Sequence, residues 1–350
     1  MERPIAAPRA TPIRLRGLVS SRVVNTIVLV LVAVVGVLVI ARIWHRGPGY
    51  FAQILVYGVA NGSIYALIAI GYTMVYGIIE LINFAHGDVF TLGGFVALAL
   101  LPMFGVKEGQ PTSAVILPLL ITLVVSMLFC GGVNVLIERI AYRPLRHAPR
   151  LAPLITAVGM SFTLEGIMFL WRGPFFLHFP DLLPRARIVL GPDTTIGAKE
   201  LTVIGVAVVL TIVLSLFVER SKLGKAMRAT AQDRDAAQLM GIDINTTIAL
   251  TFFIGAALAG AGGVVFGLYF NSLSFDLGFS AGLFAFTAAV LGGIGNIYGA
   301  AIGGLLIGMV QSFSDGYFDS TWTQVVIFAV LILVLVFRPT GILGMRVPEK

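Results

Sequence analysis

The chain has 350 residues, 58% hydrophobic and 12% charged, with a mean hydropathy of +0.97. Soluble domains carry about a quarter charged residues, so an ordinary soluble domain and a disordered chain are both excluded. The single Cys130 excludes a disulfide framework and a cysteine-based metal cluster, and the net charge of +7 reads as basic cytoplasmic loops rather than a nucleic-acid footprint.

Residues 1–22 carry Arg3, Arg9, Arg14, Arg16 and Arg22 with three prolines. They read as a basic tail near anionic lipid. Apolar runs follow at 23–41, 51–79, 84–104, 113–137, 151–171, 201–218, 248–270, 281–311 and 322–337. A spanning helix needs about 20 residues, so most runs fit one crossing. The run 23–41 is longer than a signal-peptide core and lacks a small-residue cleavage site, so it reads as a retained helix. The run 281–311 is too long for one crossing and predicts two short or broken helices joined near Gly292–Gly299. Within 51–79, Gly71 and Gly77 are candidate breaks. The expected architecture is all-α and polytopic, with eight to ten transmembrane helices, some broken or re-entrant. Residues 23–344 form one transmembrane domain, and 345–350 form a short C-terminus.

Basic residues set the orientation. The N-terminus, 138–150, 219–247 and 338–350 hold most of the Lys and Arg, against seven in 42–50, 105–112 and 172–200. The richer set is placed in the cytoplasm, with both termini.

Three carboxylates fall within the apolar runs or their junctions: Glu80, Asp88 and Glu165. Intramembrane charge marks a functional candidate. Glu80, Asn83, His86, Gly87 and Asp88 form the most polar cluster. Asn83 and His86 are spaced to share a helical face. Gly87 is placed to end one helical segment and Asp88 to cap the next. Two readings stand: a broken helix lining a solute path, or a junction whose polar groups cap helix ends. Gly292, Gly293 and Gly295 are the second candidate break. The pairs Gly58/Gly62, Gly263/Gly267, Gly299/Gly303 and Gly304/Gly308 predict close helix packing.

The segment 219–247 lies outside the membrane. Ser221 is a fair N-cap and Gly241 a good stop. Leu223, Ala226, Met227, Thr230 and Ala231 follow helical spacing. This predicts one or two short amphipathic helices, which either lie on lipid or dock a cytoplasmic partner. Gly224-Lys225 is followed by Ala226, so no P-loop is present. No nucleophile elbow, paired catalytic His and Asp, or His-Glu-x-x-His spacing occurs either, so no enzyme site and no metal site is expected.

At these residues the chain resembles the H-type permease of high-affinity branched-chain amino-acid ABC importers. The matching stretches are 65–79, 82–88 (Ile-Asn-Phe-Ala-His-Gly-Asp), 240–242 with 248–252, 286–295 and 337–344. The resemblance covers about 53–344. It implies a type II importer permease that pairs with a second, related permease in the inner membrane. It implies two ATPase subunits, which carry ATP and Mg, and a periplasmic protein delivering leucine, isoleucine or valine. It further implies that 219–247 couples to the ATPases, through Ala229, Ala231, Gln232, Asp233, Ala237, Leu239, Met240 and Gly241. Importers of urea, short amides or other amino acids share the pattern, and an ion-coupled secondary transporter is the competing class. Residues up to about Pro48 and the loop 172–200 depart from the family pattern.

Overall fold

A computed structural model describes residues 21–344 apart from Ile82, His147, Arg150, Pro192 and Pro339, with only the backbone for 21–44. Residues 1–20 of the basic tail, Arg150 of the 138–150 cluster and the terminal segment 345–350 lie outside the described residues. The chain forms two compact units, Met1–Pro48 and Gly49–Lys350.

Helix α1 (Ser21–Ile79) is interrupted at Gly47, whose φ of 82° and ψ of 163° are not helical. The expected loop 42–50 is therefore helical up to that glycine. No break occurs at Gly71 or Gly77, which lie inside continuous helix. Then follow α2 (Ala85–Met103), α3 (Thr112–Ile137), α4 (Leu151–Arg172), α5 (Ala198–Arg220), α6 (Lys222–Gln232), α7 (Arg234–Leu239), α8 (Ile244–Phe270), α9 (Leu277–Gly292), α10 (Ile297–Tyr317) and α11 (Ser320–Phe337). The long run 281–311 divides as expected, between Gly292 and Ile297. Two small antiparallel ribbons complete the chain. One pairs β1 (Leu177–His178) with β4 (Ser272–Leu273), and the other pairs β2 (Arg187–Gly191) with β3 (Thr194–Gly197).

Among the described residues, eight helices are long and apolar enough to cross a membrane: His45–Ile79, Ala85–Met103, Thr112–Leu145, α4, α5, α8, α10 and α11. Helix α9, at 16 residues, is shorter. Sequence alone left the number between eight and ten; the eight counted here start at His45, so the helical run 23–41 is not among them, and the short apolar α9 stands beside them.

The order α1–α4 repeats as α8–α11 with the direction reversed. Helix α1 packs on α10 through Gly58, Gly62, Gly304 and Gly308, whose neighbours are Met309, Leu305, Ala66 and Gly62. Helix α8 packs on α3 in the matching way, with Gly260 against Cys130 and Phe253 against Gly131. Helix α4 packs on α2, and α11 on α9. Close approach at small residues supplies dispersion contacts that lipid-facing leucines cannot add. Inverted repeats of this kind meet at shared elements along their pseudo-two-fold axis. Here the shared elements are α2 and α9, which cross where Gly87 meets Gly278 and Gly282.

Both shared helices start inside the bundle. After Ile79 the chain turns back, and His86 in the first turn of α2 lies against Gly71, two turns before the end of α1. After Phe270 the chain also dips inward. The Leu273 side chain reaches Gly94, and Gly278 reaches Asp88. Both helices begin without a side-chain cap. By contrast, α6, α7, α8, α10 and α11 open with caps from Ser221, Asp233, Asp243, Asn296 and Asp319.

Candidate functional site

Two groups of residues were singled out by sequence, and they occupy one end and the middle of the bundle. The end is built from α6 and α7. Ser221 caps α6 by accepting from the Gly224 N–H at 2.8 Å, and Gly224, Met227 and Thr230 form its buried face. Asp233 ends α6 with extended backbone, and its carboxylate accepts from the Ala236 N–H at 3.0 Å, starting α7. One residue thus joins two helices at an angle. The stop is a Schellman motif. The Gly241 N–H donates to Gln238 O and the Ile242 N–H to Ala237 O, with Gly241 at φ 82°. Glycine suits that left-handed position.

Among the proposed coupling residues, Ala237 is buried and Ala229 half-buried. Ala231, Gln232, Asp233 and Gly241 are exposed. Leu239 and Met240 are 88% and 83% exposed at the tip of α7. Two large apolar side chains this open form an apolar tip, and the neighbouring residues of the same element, Gln232, Asp233, Asp235 and Gln238, are polar and exposed.

The element is fastened by arginines that sequence had counted only as topology signals. Arg228 donates to the carbonyl oxygens of Val218 and Glu219 at the end of α5. Arg234 donates through Nε and Nη2 to Ile78 O, at 3.2 and 2.5 Å. Helix C-termini carry orphan carbonyls and negative partial charge, so a guanidinium satisfies both. A third arginine, Arg146, pairs with buried Glu138 and donates to Asn245 Oδ1 at 2.6 Å, tying the turn after α3 to the start of α8. A cavity of about 80 Å³ lies beneath α6, bounded by Gly77, Ile78, Met227, Arg228, Ala231 and Gly295, among others.

The middle group is arranged differently from the expectation. The break falls at 80–84, so Gly87 does not end a helix and Asp88 does not cap one; both lie in the first turn of α2. Glu80 is exposed and ends α1 in the left-handed region, at φ 56°. Asn83 precedes the helix and shares no face with His86. Its Oδ1 accepts from the Tyr142 hydroxyl at 2.8 Å, and its Nδ2 donates to Asn134 Oδ1 at 3.4 Å. Asn134 in turn donates to Phe252 O at 2.9 Å. His86 faces Tyr72 at 4.7 Å between ring centroids. The Asp88 Oδ2 accepts from the Ser161 hydroxyl at 2.5 Å. Asn83, His86 and Asp88 are all buried. Glu165 lies one turn beyond Ser161 on α4 and is half-buried.

At the second break, Gly292 packs on Gly299 and Gly293 on Gly341 and Gly344, while Gly295 is exposed. The chain after α11 folds over this junction. Ile342 N donates to Leu291 O at 2.8 Å, Leu343 N to Gly292 O at 2.9 Å, and Asn296 Nδ2 to Leu343 O at 3.0 Å. Among the described residues, no three His, Cys, Asp or Glu side chains are grouped to hold a metal ion. Sequence reading missed Asn134, Tyr142, Arg228 and Arg234. A polar Asn134 inside the run 113–137 was the available signal; for the arginines there was none, because their partners are backbone atoms distant in sequence.

An inverted pair of four-helix repeats with an apolar tip on a two-helix end element is the setting for comparison with known proteins. The family model described as the permease component of the branched-chain amino acid transport system matches residues 54–335. The chain belongs to this family. It is 45% identical to the high-affinity branched-chain amino acid transport system permease protein BraD of Pseudomonas aeruginosa, over 86% of this chain and 98% of that protein. It is 43% identical to LivH of Escherichia coli K12, a permease protein of the same description, over the same shares. A probable LivM permease of Methanocaldococcus jannaschii is 29% identical over 39% of this chain. No solved structure matches. The chain is therefore a multi-pass permease of the branched-chain amino acid transport type, and the family match begins after the interruption at Gly47.

Proposed function

We propose that this chain is the permease subunit of an ATP-binding cassette importer that moves leucine, isoleucine and valine across the bacterial inner membrane. It works beside a second, related permease, with two ATPase subunits that carry ATP and Mg beneath, and a periplasmic binding protein above. The observation that carries the coupling reading is the apolar tip of Leu239 and Met240 on a capped, arginine-fastened element. Exposed apolar side chains among polar neighbours mark a protein interface. That the 43–45% identical relatives are branched-chain amino acid transport permeases supports the amino-acid class. Basic residues on the 219–247 side support a cytoplasmic location for that end and for both termini.

In this reading the ATPase dimer closes on ATP, and α6 and α7 carry the force into the bundle. The permease pair then alternates its access. The buried groups Asn83, His86 and Asp88, with the glycines at 292–295, hold the two helix junctions around which the repeats move. Replacing Leu239 and Met240 together by Asp abolishes co-purification of the ATPases while the chain still inserts in the membrane. Unchanged co-purification rejects the docking role. Leucine uptake that persists without the ATPases and follows a proton gradient rejects the ATP-driven class.

A further inference from the structure

We infer that Arg234 is the positioning residue that transmits motion of the docking element to the break between α1 and α2. The inference rests on the docking role proposed above and adds the route inward from it. Arg234 is the first residue of α7, next to the Asp233 cap. Its backbone is therefore part of the same short helix that carries Leu239, about 7.5 Å further along the axis, with Met240 next. Its guanidinium places two donors on one acceptor, Ile78 O. That carbonyl is among the last four of α1, which have no acceptor role inside their own helix. Tyr76 O, two residues earlier, is satisfied by Glu80 N at 2.8 Å; Ile78 O is satisfied by the docking element.

What lies beyond Ile78 makes the contact mechanical. Glu80 adopts φ 56°, a strained conformation for a residue with a side chain. Residues 80–84 then turn back into the bundle and start α2 beside its crossing with α9. The far side of this junction is latched by Asn83 to Tyr142 and Asn134. Packed interiors do not yield continuously, but the cavity of about 80 Å³ borders Ile78 and Gly77 on one side and Met227 and Ala231 on the other. Open space thus lies between α6 and the end of α1, and Arg234 makes a charge-assisted contact to Ile78 O, a residue that borders it. Arg228 makes a parallel contact to the end of α5, which leads straight into α6 and so bypasses the junction.

The test uses the assembled importer in membrane vesicles, comparing wild type, Arg234→Ala and Arg234→Lys. Three quantities are read: ATPase co-purification, ATP hydrolysis and leucine uptake. Arg234→Ala keeps the ATPases and hydrolysis and loses uptake at least about tenfold, the scale of a hydrogen bond to a charged group. Arg234→Lys keeps the charge but loses the paired donors, and its uptake per ATP hydrolysed falls between the two. Uptake within about twofold of wild type in both variants overturns the inference and leaves docking standing. Loss of the ATPases from Arg234→Ala also overturns it, because Arg234 is then part of the docking contact. If Arg234→Ala fails to insert, Arg234→Lys decides: unchanged uptake per ATP overturns the inference, and a drop with the ATPases bound supports it.

Discussion

At the scale of single residues, glycine has two roles in this chain. Gly308 lies where an added Cβ meets the backbone of Gly62. No rotamer change relieves a clash with backbone. Gly308→Val is expected to destabilise the chain by about 1–3 kcal/mol, the range for overpacking, measured as a lower melting temperature in detergent. At Gly132 on α3 an added Cβ would have nothing within 4 Å. There Gly132→Ala is expected to be neutral or mildly stabilising, since alanine is the better helix former by about 1 kcal/mol. All eight residues in the four predicted G-x-x-x-G pairs sit at such close contacts. The spacing was legible in sequence because helical period sets which glycines share a face. The partner surface was not, because nothing local says that Gly62 meets Gly308 rather than Gly263.

At the scale of elements, α3 and α5 start without a side-chain cap, whereas such caps open α6, α7, α8, α10 and α11. Asp243 is the best example. Its carboxylate accepts from the Thr246 hydroxyl at 2.6 Å and from the N–H groups of Asn245 and Thr246. These bonds, with that from Thr246 foremost, hold its carboxyl below the usual aspartate range. A depressed carboxylate stabilises the fold above its ordinary range and loses that contribution as pH falls through the depressed value. Asp243→Ala is therefore expected to melt lower than wild type at neutral pH, with the two melting curves converging in acid. A gap that stays constant with pH rejects the charge contribution. The split of 221–239 into two helices at Asp233 was half legible. Aspartate is a strong N-cap, yet it sat within one continuous helical pattern. The break before α2 was misplaced for a related reason. Gly87 looked like a stop, but its missing side chain serves contact with Gly278 and Gly282, while the turn itself is made by Glu80.

At the scale of the whole molecule, the two ends of the bundle are chemically distinct. One end carries Leu239 and Met240; the other carries Phe175 and Phe176, 77% and 79% exposed, beside the β1–β4 ribbon. There Glu108 accepts from the Asp181 N–H and lies 2.7 Å from His178 Nε2, contacts that hold its carboxyl below the usual range. Cysteine labelling separates the ends. Leu239→Cys is expected to react with an impermeant reagent from the cytoplasmic side only, and Phe176→Cys from the opposite side only. The native chain stays unlabelled because its single cysteine, Cys130, is buried. Labelling of both variants from one side rejects the arrangement.

Sequence alone determined that this is a polytopic helical membrane protein, where its apolar runs lie, that 281–311 holds two helices, and that 219–247 stands outside them. Each of these follows from composition or from a period along the chain, which short-range physics reads directly. Tertiary structure alone decided that α1–α4 recur inverted as α8–α11, that α2 and α9 start inside the bundle, and that Arg234 closes the end of α1. Those facts rest on contacts between residues far apart in the chain, such as Arg234 with the Ile78 carbonyl. A backbone acceptor has no letter of its own in the sequence, so only the folded chain reveals which side chain it meets.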